Sequence, residues 1–109
     1  MATHFTPTDK DPIRTVVTQS EDVVVVAWHI KPGQIIKPHR HPEGQDTWTI
    51  LAGRGDYIVD EMGSTLPITT GDVVVAQRGQ VHGVRNSSDR DLLFVSIVSP
   101  AAAGYELIE

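Results

Sequence analysis

Two histidines and a carboxylate that lie close together in the sequence could bind a metal ion. His39 and His41 are separated by one residue, and Asp46 follows at the start of a strand-like run. Because successive side chains of a strand alternate between its faces, both imidazoles are expected on the same face. Imidazole is the commonest protein ligand of transition metals, and two histidines with a carboxylate are typical of mononuclear sites. The pair alone is a weak signal, because two exposed surface histidines would show the same spacing.

A second segment, from Gly71 to Asn86, contains one further histidine. His82 follows Gly79 by three residues and precedes Asn86 by four. Gly71 and Gly79 stand where predicted strands end and the chain reverses, and such positions often require a positive φ. The glycines therefore indicate turns and need no functional explanation.

Together the two segments resemble the paired motifs of the cupin superfamily. The first motif has a glycine, His-x-His, a glutamate and a glycine, and the positions here are Gly33, His39, His41, Asp46 and Gly53. The second has a glycine, Pro-x-Gly, a histidine and an asparagine, and the positions here are Gly71, Gln77, Gly79, His82 and Asn86. All spacings agree with the family pattern, and the resemblance covers roughly the central half of the chain.

The resemblance implies one divalent transition metal (Fe, Mn, Ni or Zn) held by side chains of both motifs. It gives ligand roles to His39, His41 and His82, and to Asp46 at the position of the family's glutamate. Asp46 is one methylene shorter than glutamate, and Gln45 occupies the ligand position if the shorter spacing of the first motif is counted. In the family pattern, six residues separate the ligand carboxylate from the second glycine, and six residues separate Asp46 from Gly53. This spacing favours Asp46 as the fourth ligand, while Gln45 stays an alternative. The other departure, Gln77 for the motif proline, affects the turn more than the chemistry.

The remaining sequence predicts short strands that would position these side chains. Runs rich in β-branched and aromatic residues, separated by turn signals, predict strands at 13–17, 23–30, 35–36, 47–51, 56–60, 66–69, 73–76, 81–85 and 92–98. Such spacing is typical of an all-β sandwich or barrel, and the resemblance makes it a double-stranded β-helix, the cupin jelly-roll barrel. We predict one domain over residues 1–109, with a core of about 13–99, a polar N-terminal arm and a C-terminal tail.

Other residues are interpreted from their surroundings. Trp48 and Ile50 share strand parity with Asp46, which predicts that both line the pocket beside the site. His29 lies in a valine-rich strand, where a hydrogen-bonded structural role is the better interpretation. His4 belongs to the polar arm and is expected to be solvated.

Composition excludes several classes of function. The net charge of −5 and the absence of a Lys/Arg cluster argue against nucleic-acid binding. No apolar run is long enough to cross a bilayer, so no membrane partner is expected. The absence of cysteine excludes disulfides and thiol nucleophiles. The N-terminal residues lack the apolar stretch of a secretory signal, which predicts a cytoplasmic location.

Three classes of function fit these features. The first is a metal-dependent enzyme, an oxygenase or a lyase/isomerase, acting on a small-molecule substrate inside the barrel. The second is a non-catalytic barrel that senses or binds a small molecule or sugar, and the third is a structural barrel with a vestigial metal site. The absence of an attached output domain favours the enzyme. The apolar runs 23–26 and 92–98 also predict a homodimer, formed by sheet packing or by strand exchange near the N-terminus.

Overall fold

The protein folds into two antiparallel five-stranded sheets that face each other. In the computed structural model, which describes residues 4–108, the strands are β1 (Thr15–Gln19), β2 (Val24–Ile30), β3 (Ile35–Arg40), β4 (Gln45–Ala52), β5 (Arg54–Ile58), β6 (Thr65–Thr69), β7 (Val73–Ala76), β8 (His82–Arg85), β9 (Leu92–Ser99) and β10 (Glu106–Leu107). The strand orders are β1-β2-β9-β4-β7 in the first sheet and β10-β3-β8-β5-β6 in the second. This arrangement confirms the predicted all-β, double-stranded β-helix fold. None of the helical structure within residues 4–108 is long and apolar enough to cross a membrane.

The core fills one end of the space between the sheets. Large side chains from both sheets are buried there, among them Trp48, Ile50, Tyr57, Leu92 and Phe94. The Trp48 and Phe94 rings stack with centroids 4.2 Å apart. Burial of such large apolar surfaces is the main driving force for closing the two sheets on each other. The opposite end of the barrel carries the polar side chains described below.

A β-bulge in β3 sets the direction of the histidines. Ile36 lies opposite Val84 of β8, but the next paired residues are His39 and His82. Two residues of β3, Lys37 and Pro38, therefore face the single residue Gly83. A bulge of this kind shifts the side-chain alternation by one, so that Ile36 and His39 both point into the barrel. A Cβ atom on Gly83 would lie 2.6 Å from the carbonyl oxygen of Ile36, so only glycine allows this close approach.

The two ends of the chain are more ordered than the sequence indicated. The segment predicted to be a C-terminal tail contains β10, in which Glu106 and Leu107 pair with Arg40 and His39. In the N-terminal arm, the Gln34 side-chain amide donates hydrogen bonds to the carbonyl oxygens of Thr8 (2.7 Å) and Lys10 (2.5 Å). Residues 8–10 are thereby held beside the start of β3, and β10 lies next to His39.

Candidate metal centre

Four side chains from both sheets converge at the open end of the barrel. His39 and His41 come from β3 and the residue after it, His82 from β8, and Asp46 from β4 of the other sheet. Each offers one donor atom, and these atoms all lie within 4.8 Å of one another. His39, Asp46 and His82 are buried, while His41 is partly exposed. The structure thus brings together the three motif histidines and the motif carboxylate.

The short side chain of Asp46 reaches the histidines. Its Oδ2 atom lies 2.9 Å from Nε2 of His82 and 3.3 Å from Nε2 of His41. Its other oxygen, Oδ1, accepts a 2.5 Å hydrogen bond from the Ser96 hydroxyl on β9. Ser96 lies opposite Trp48, two residues along from Asp46, so the two polar side chains are diagonal neighbours on the inner face. Ser96 therefore fixes the carboxylate with Oδ2 turned towards the imidazoles.

Main-chain carbonyl groups orient two of the imidazoles. Nδ1 of His39 lies 2.8 Å from the Lys37 carbonyl oxygen, and Nδ1 of His41 lies 2.8 Å from the Gly104 carbonyl oxygen. Because a carbonyl oxygen can only accept, each Nδ1 carries a proton, and Nε2 of a neutral ring is then a lone-pair donor. This is the arrangement in which histidine binds a metal. Nε2 of His41 also faces Oδ2 of Asp46 at 3.3 Å, a separation that suits a shared proton or a metal ion bound by both atoms.

The surroundings of His39, His41 and Asp46 shift the pKa values of these three groups. Burial, followed by the charge of His82, lowers the pKa of His39 to about 4, so this ring is neutral near pH 7. Burial alone would lower the pKa of His41, but its hydrogen bonds to Asp46 and to the Gly104 carbonyl raise it overall. Burial would raise the pKa of Asp46, yet hydrogen bonds from His41, His82 and Ser96 hold it well below its usual value. Asp46 is therefore ionised, as a metal ligand must be.

The other predicted site residues divide between the site, the core and the surface. Gln45 is exposed, because it precedes Asp46 in β4 and so points to the opposite face of the sheet. Trp48 lines the cavity beside the histidines, whereas Ile50 packs in the core and is not among the lining residues. His29 pairs with Asp91 at 2.7 Å, away from the site.

A cavity of about 470 Å³ leads from the solvent to His39, His41 and Asp46. Sequence reasoning missed several of its lining residues, namely Arg14, Trp28, Ser96, Gly104 and Tyr105. The Tyr105 ring lies against the His39 ring, with centroids 4.9 Å apart. Only Trp28 gave a sequence signal, through its place in an apolar strand. The others reach the cavity by long-range pairing of distant segments.

Two buried nitrogen atoms near the site lack a hydrogen-bond partner among residues 4–108. They are Nδ1 of His82 and Nε1 of Trp48, whose rings meet edge to face with centroids 5.4 Å apart. No described carbonyl oxygen therefore accepts a hydrogen bond from Nδ1 of His82, in contrast to Nδ1 of His39 and of His41. Its orientation is set by Asp46 and by the aromatic rings around it.

Comparison with known proteins adds a family and several relatives. A family model described as a Cupin domain matches residues 26–98. The pectin degradation protein KdgF of Dickeya dadantii is 27% identical over 92 residues, which cover 84% of this chain and 81% of that protein. The oxalate-binding protein of Thermotoga maritima is 29% identical over 69 residues, which cover 63% of this chain but only 55% of that protein.

One solved structure covers nearly all of the chain. It is the crystal structure of a conserved protein with a double-stranded beta-helix domain from Klebsiella pneumoniae. Its TM-score to this chain is 0.95 at 44% sequence identity, and the match covers 99% of this chain and 93% of that one. The similarity therefore extends to the N-terminal and C-terminal segments that border the cavity.

Proposed function

This chain belongs to the cupin superfamily, and we propose that it is a metal-dependent enzyme acting on a small molecule inside its barrel. The observation that carries the proposal is the cluster of His39, His41, Asp46 and His82 beside a cavity of about 470 Å³. His39, His41, His82 and Asp46 would hold one divalent cation, with Gln45 disfavoured by its exposed position. Such an ion, when bound, supplies Lewis acidity and a point at which a substrate or dioxygen can be oriented.

The protein groups around the cluster limit the reaction type. Among the described residues that line the cavity, the only titratable side chains outside the cluster are Arg14 and Tyr105. Arginine stays protonated and donates only hydrogen bonds, and burial raises the pKa of Tyr105, so neither side chain is a base near pH 7. A lyase or isomerase that begins with proton removal by a side chain lacks that side chain here. This supports an oxygenase over a lyase or isomerase.

The cavity walls would exclude water from a bound substrate. Trp28 is partly exposed to the cavity, Trp48 borders it although almost fully buried, and Tyr105 lies over the histidine end. A substrate placed between them would be held against the cluster with little freedom, which is how a binding site lowers the entropic part of a barrier.

A second function, a barrel that binds a small molecule without turning it over, is favoured by the same lack of a protein base. The relative named as an oxalate-binding protein adds to this possibility. We therefore keep the non-catalytic barrel as the alternative, and it predicts binding without product.

Oxygen uptake by the iron-loaded protein separates the two functions. A panel of small carboxylic acids and aromatic molecules would be screened with an oxygen electrode and by product analysis. If the protein is an enzyme, we expect oxygen consumption or product formation that is lost in His82→Ala. His29→Gln should keep this activity, because the His29 ring lies outside the site. Binding of a panel member without any turnover would support the non-catalytic barrel instead.

A further inference from the structure

Arg14 introduces a positive charge into the wall of the cavity. It immediately precedes β1, whose residue Thr15 pairs with Ala27 of β2. Continued by one residue, this antiparallel register brings Arg14 next to Trp28. It lines the same cavity as His39 and His41. The guanidinium group is therefore near the candidate metal centre as well as open to solvent.

This guanidinium group has no partner within the part of the chain that the structure describes. Among residues 4–108 it makes neither a hydrogen bond nor an ion pair, whereas Arg40 and Arg78 both face glutamates. Asp46 is the only acidic side chain among the described lining residues, and His41, His82 and Ser96 already bond to it. Arg14 thus offers a free fork of N–H donors, the geometry that matches a carboxylate.

The remaining walls of the cavity are mainly apolar. Val26, Trp28, Ile36, Trp48, Val98 and Ala103 form most of the lining away from the cluster. A polyhydroxylated molecule would leave its hydroxyl groups without partners there, which costs free energy for each group. A planar or aliphatic body would instead bury its surface against the partly exposed Trp28 ring and these aliphatic side chains.

We propose that the cavity selects a small carboxylate with an apolar body, held at its carboxylate by Arg14 and along its body by Trp28 and the aliphatic side chains of the wall. The proposal rests on the proposed function, since it assigns the substrate class of the same cavity. Arg14 is then a specificity-determining residue for that function.

The chain contains its own reporter of binding. Both of its two tryptophans line the cavity, so their fluorescence responds directly to an occupant. Cyclohexanecarboxylate, which does not absorb with tryptophan, would be titrated into the full chain before and after chelation of metal. The uncharged cyclohexanecarboxamide and the polyhydroxylated acid galacturonate would be titrated in parallel.

Arg14 predicts a clear order of affinities in the chelated protein. Cyclohexanecarboxylate binds more tightly than the amide and than galacturonate. Arg14→Gln weakens its binding by at least about tenfold, the scale of a hydrogen bond to a charged group, and removes the preference over the amide. Arg14→Lys keeps part of the preference. Arg54→Gln, which removes an exposed arginine at the far end of the barrel, leaves it unchanged.

Several results would overturn the assignment. Equal affinity for the carboxylate and the amide would exclude an anion site, and a preference that survives Arg14→Gln would exclude Arg14 as its source. Galacturonate binding as tightly as cyclohexanecarboxylate would exclude the apolar body. Failure of the proposed function is distinguishable, because it would appear as absence of metal uptake while the Arg14-dependent preference persists in the chelated protein.

Discussion

Nδ1 of His41 lies 2.8 Å from the main-chain carbonyl oxygen of Gly104, which is 63 residues later in the chain. The C-terminal segment thus borders the candidate metal centre. It is held in place by a 2.8 Å hydrogen bond from the Glu43 amide to the Ala103 carbonyl oxygen and by the pairing of β10 with β3. Tyr105 in the same segment covers the His39 ring.

Removal of this segment should weaken metal binding. A chain that ends at Ala103 lacks the carbonyl group that orients His41, and losing such a partner typically costs about 10- to 100-fold in metal affinity. A chain that ends at Leu107 keeps both the carbonyl group and β10 and serves as the control. Metal affinities of the two truncated chains would be measured by competition with a chelating dye, and equal values would contradict a role for Gly104.

The identity of the carboxylate ligand can be tested by two neighbouring substitutions. Asp46→Asn removes the charge that faces His41 and His82, whereas Gln45→Ala changes an exposed side chain. We expect Asp46→Asn to lower metal affinity by at least about 10- to 100-fold, since a direct ligand should matter no less than a residue that orients one. Gln45→Ala should bind like the parent. The reverse order in metal titrations would assign the ligand to Gln45.

Ser96 should influence the metal without touching it. Its hydroxyl fixes Oδ1 of Asp46, so Ser96→Ala leaves this buried oxygen without its partner and lets the carboxylate turn. We expect metal affinity to fall by about tenfold or more, within the range known for residues that orient ligands. Ser99→Ala, an exposed change on the same strand, is the matched control. A parent-like affinity in Ser96→Ala would show that Asp46 needs no such support.

Association should use the outer face of the first sheet. Thr47 of β4 lies between Val75 of β7 and Ile97 of β9, and these two apolar side chains are 39% and 38% exposed. We propose that this face packs against a second copy, because apolar surface on a sheet gains free energy when covered. Sedimentation equilibrium at micromolar concentration should give a dimer mass for the parent and a monomer mass for the double variant Val75→Lys/Ile97→Lys. Met62→Lys, at a 90% exposed turn position, should stay dimeric. A monomeric parent would rule out the dimer.

The part of the site that is local in sequence was predictable. The spacing of His39 and His41 predicted their common face, and the resemblance to the cupin motifs implied His82 and Asp46, with Gln45 as the alternative, as their companions. Parity also explains why Asp46 is buried while Gln45 is exposed. The alternation of side chains predicts which face of the sheet a residue occupies, but not how far along the barrel it lies. That is why Trp48 lines the cavity while Ile50, two residues further, lies in the core.

The part that depends on distant pairing was not predictable. Ser96 follows Asp46 by 50 residues, and its contact depends on the register of β9 with β4. The bulge at Lys37 and Pro38 is invisible in the sequence pattern, although it decides the direction of His39. Arg14 lies in a short predicted strand whose pairing partner the sequence does not indicate, and Tyr105 lies in the segment predicted to be a tail, so neither was expected in a cavity wall.

Metal content tests the account most directly. The purified chain would be dialysed against Mn, Fe, Ni or Zn in turn, freed of excess ion and measured by elemental analysis. If the four side chains form a metal site, the protein should contain close to one equivalent of a divalent transition metal per chain, and His82→Ala should contain much less. The four are His39, His41, Asp46 and His82. Their affinity should also raise the free energy of unfolding, by about 2.7 kcal/mol when the free metal concentration is 100 times the Kd. A correctly folded chain that takes up none of these metals would contradict the metal centre.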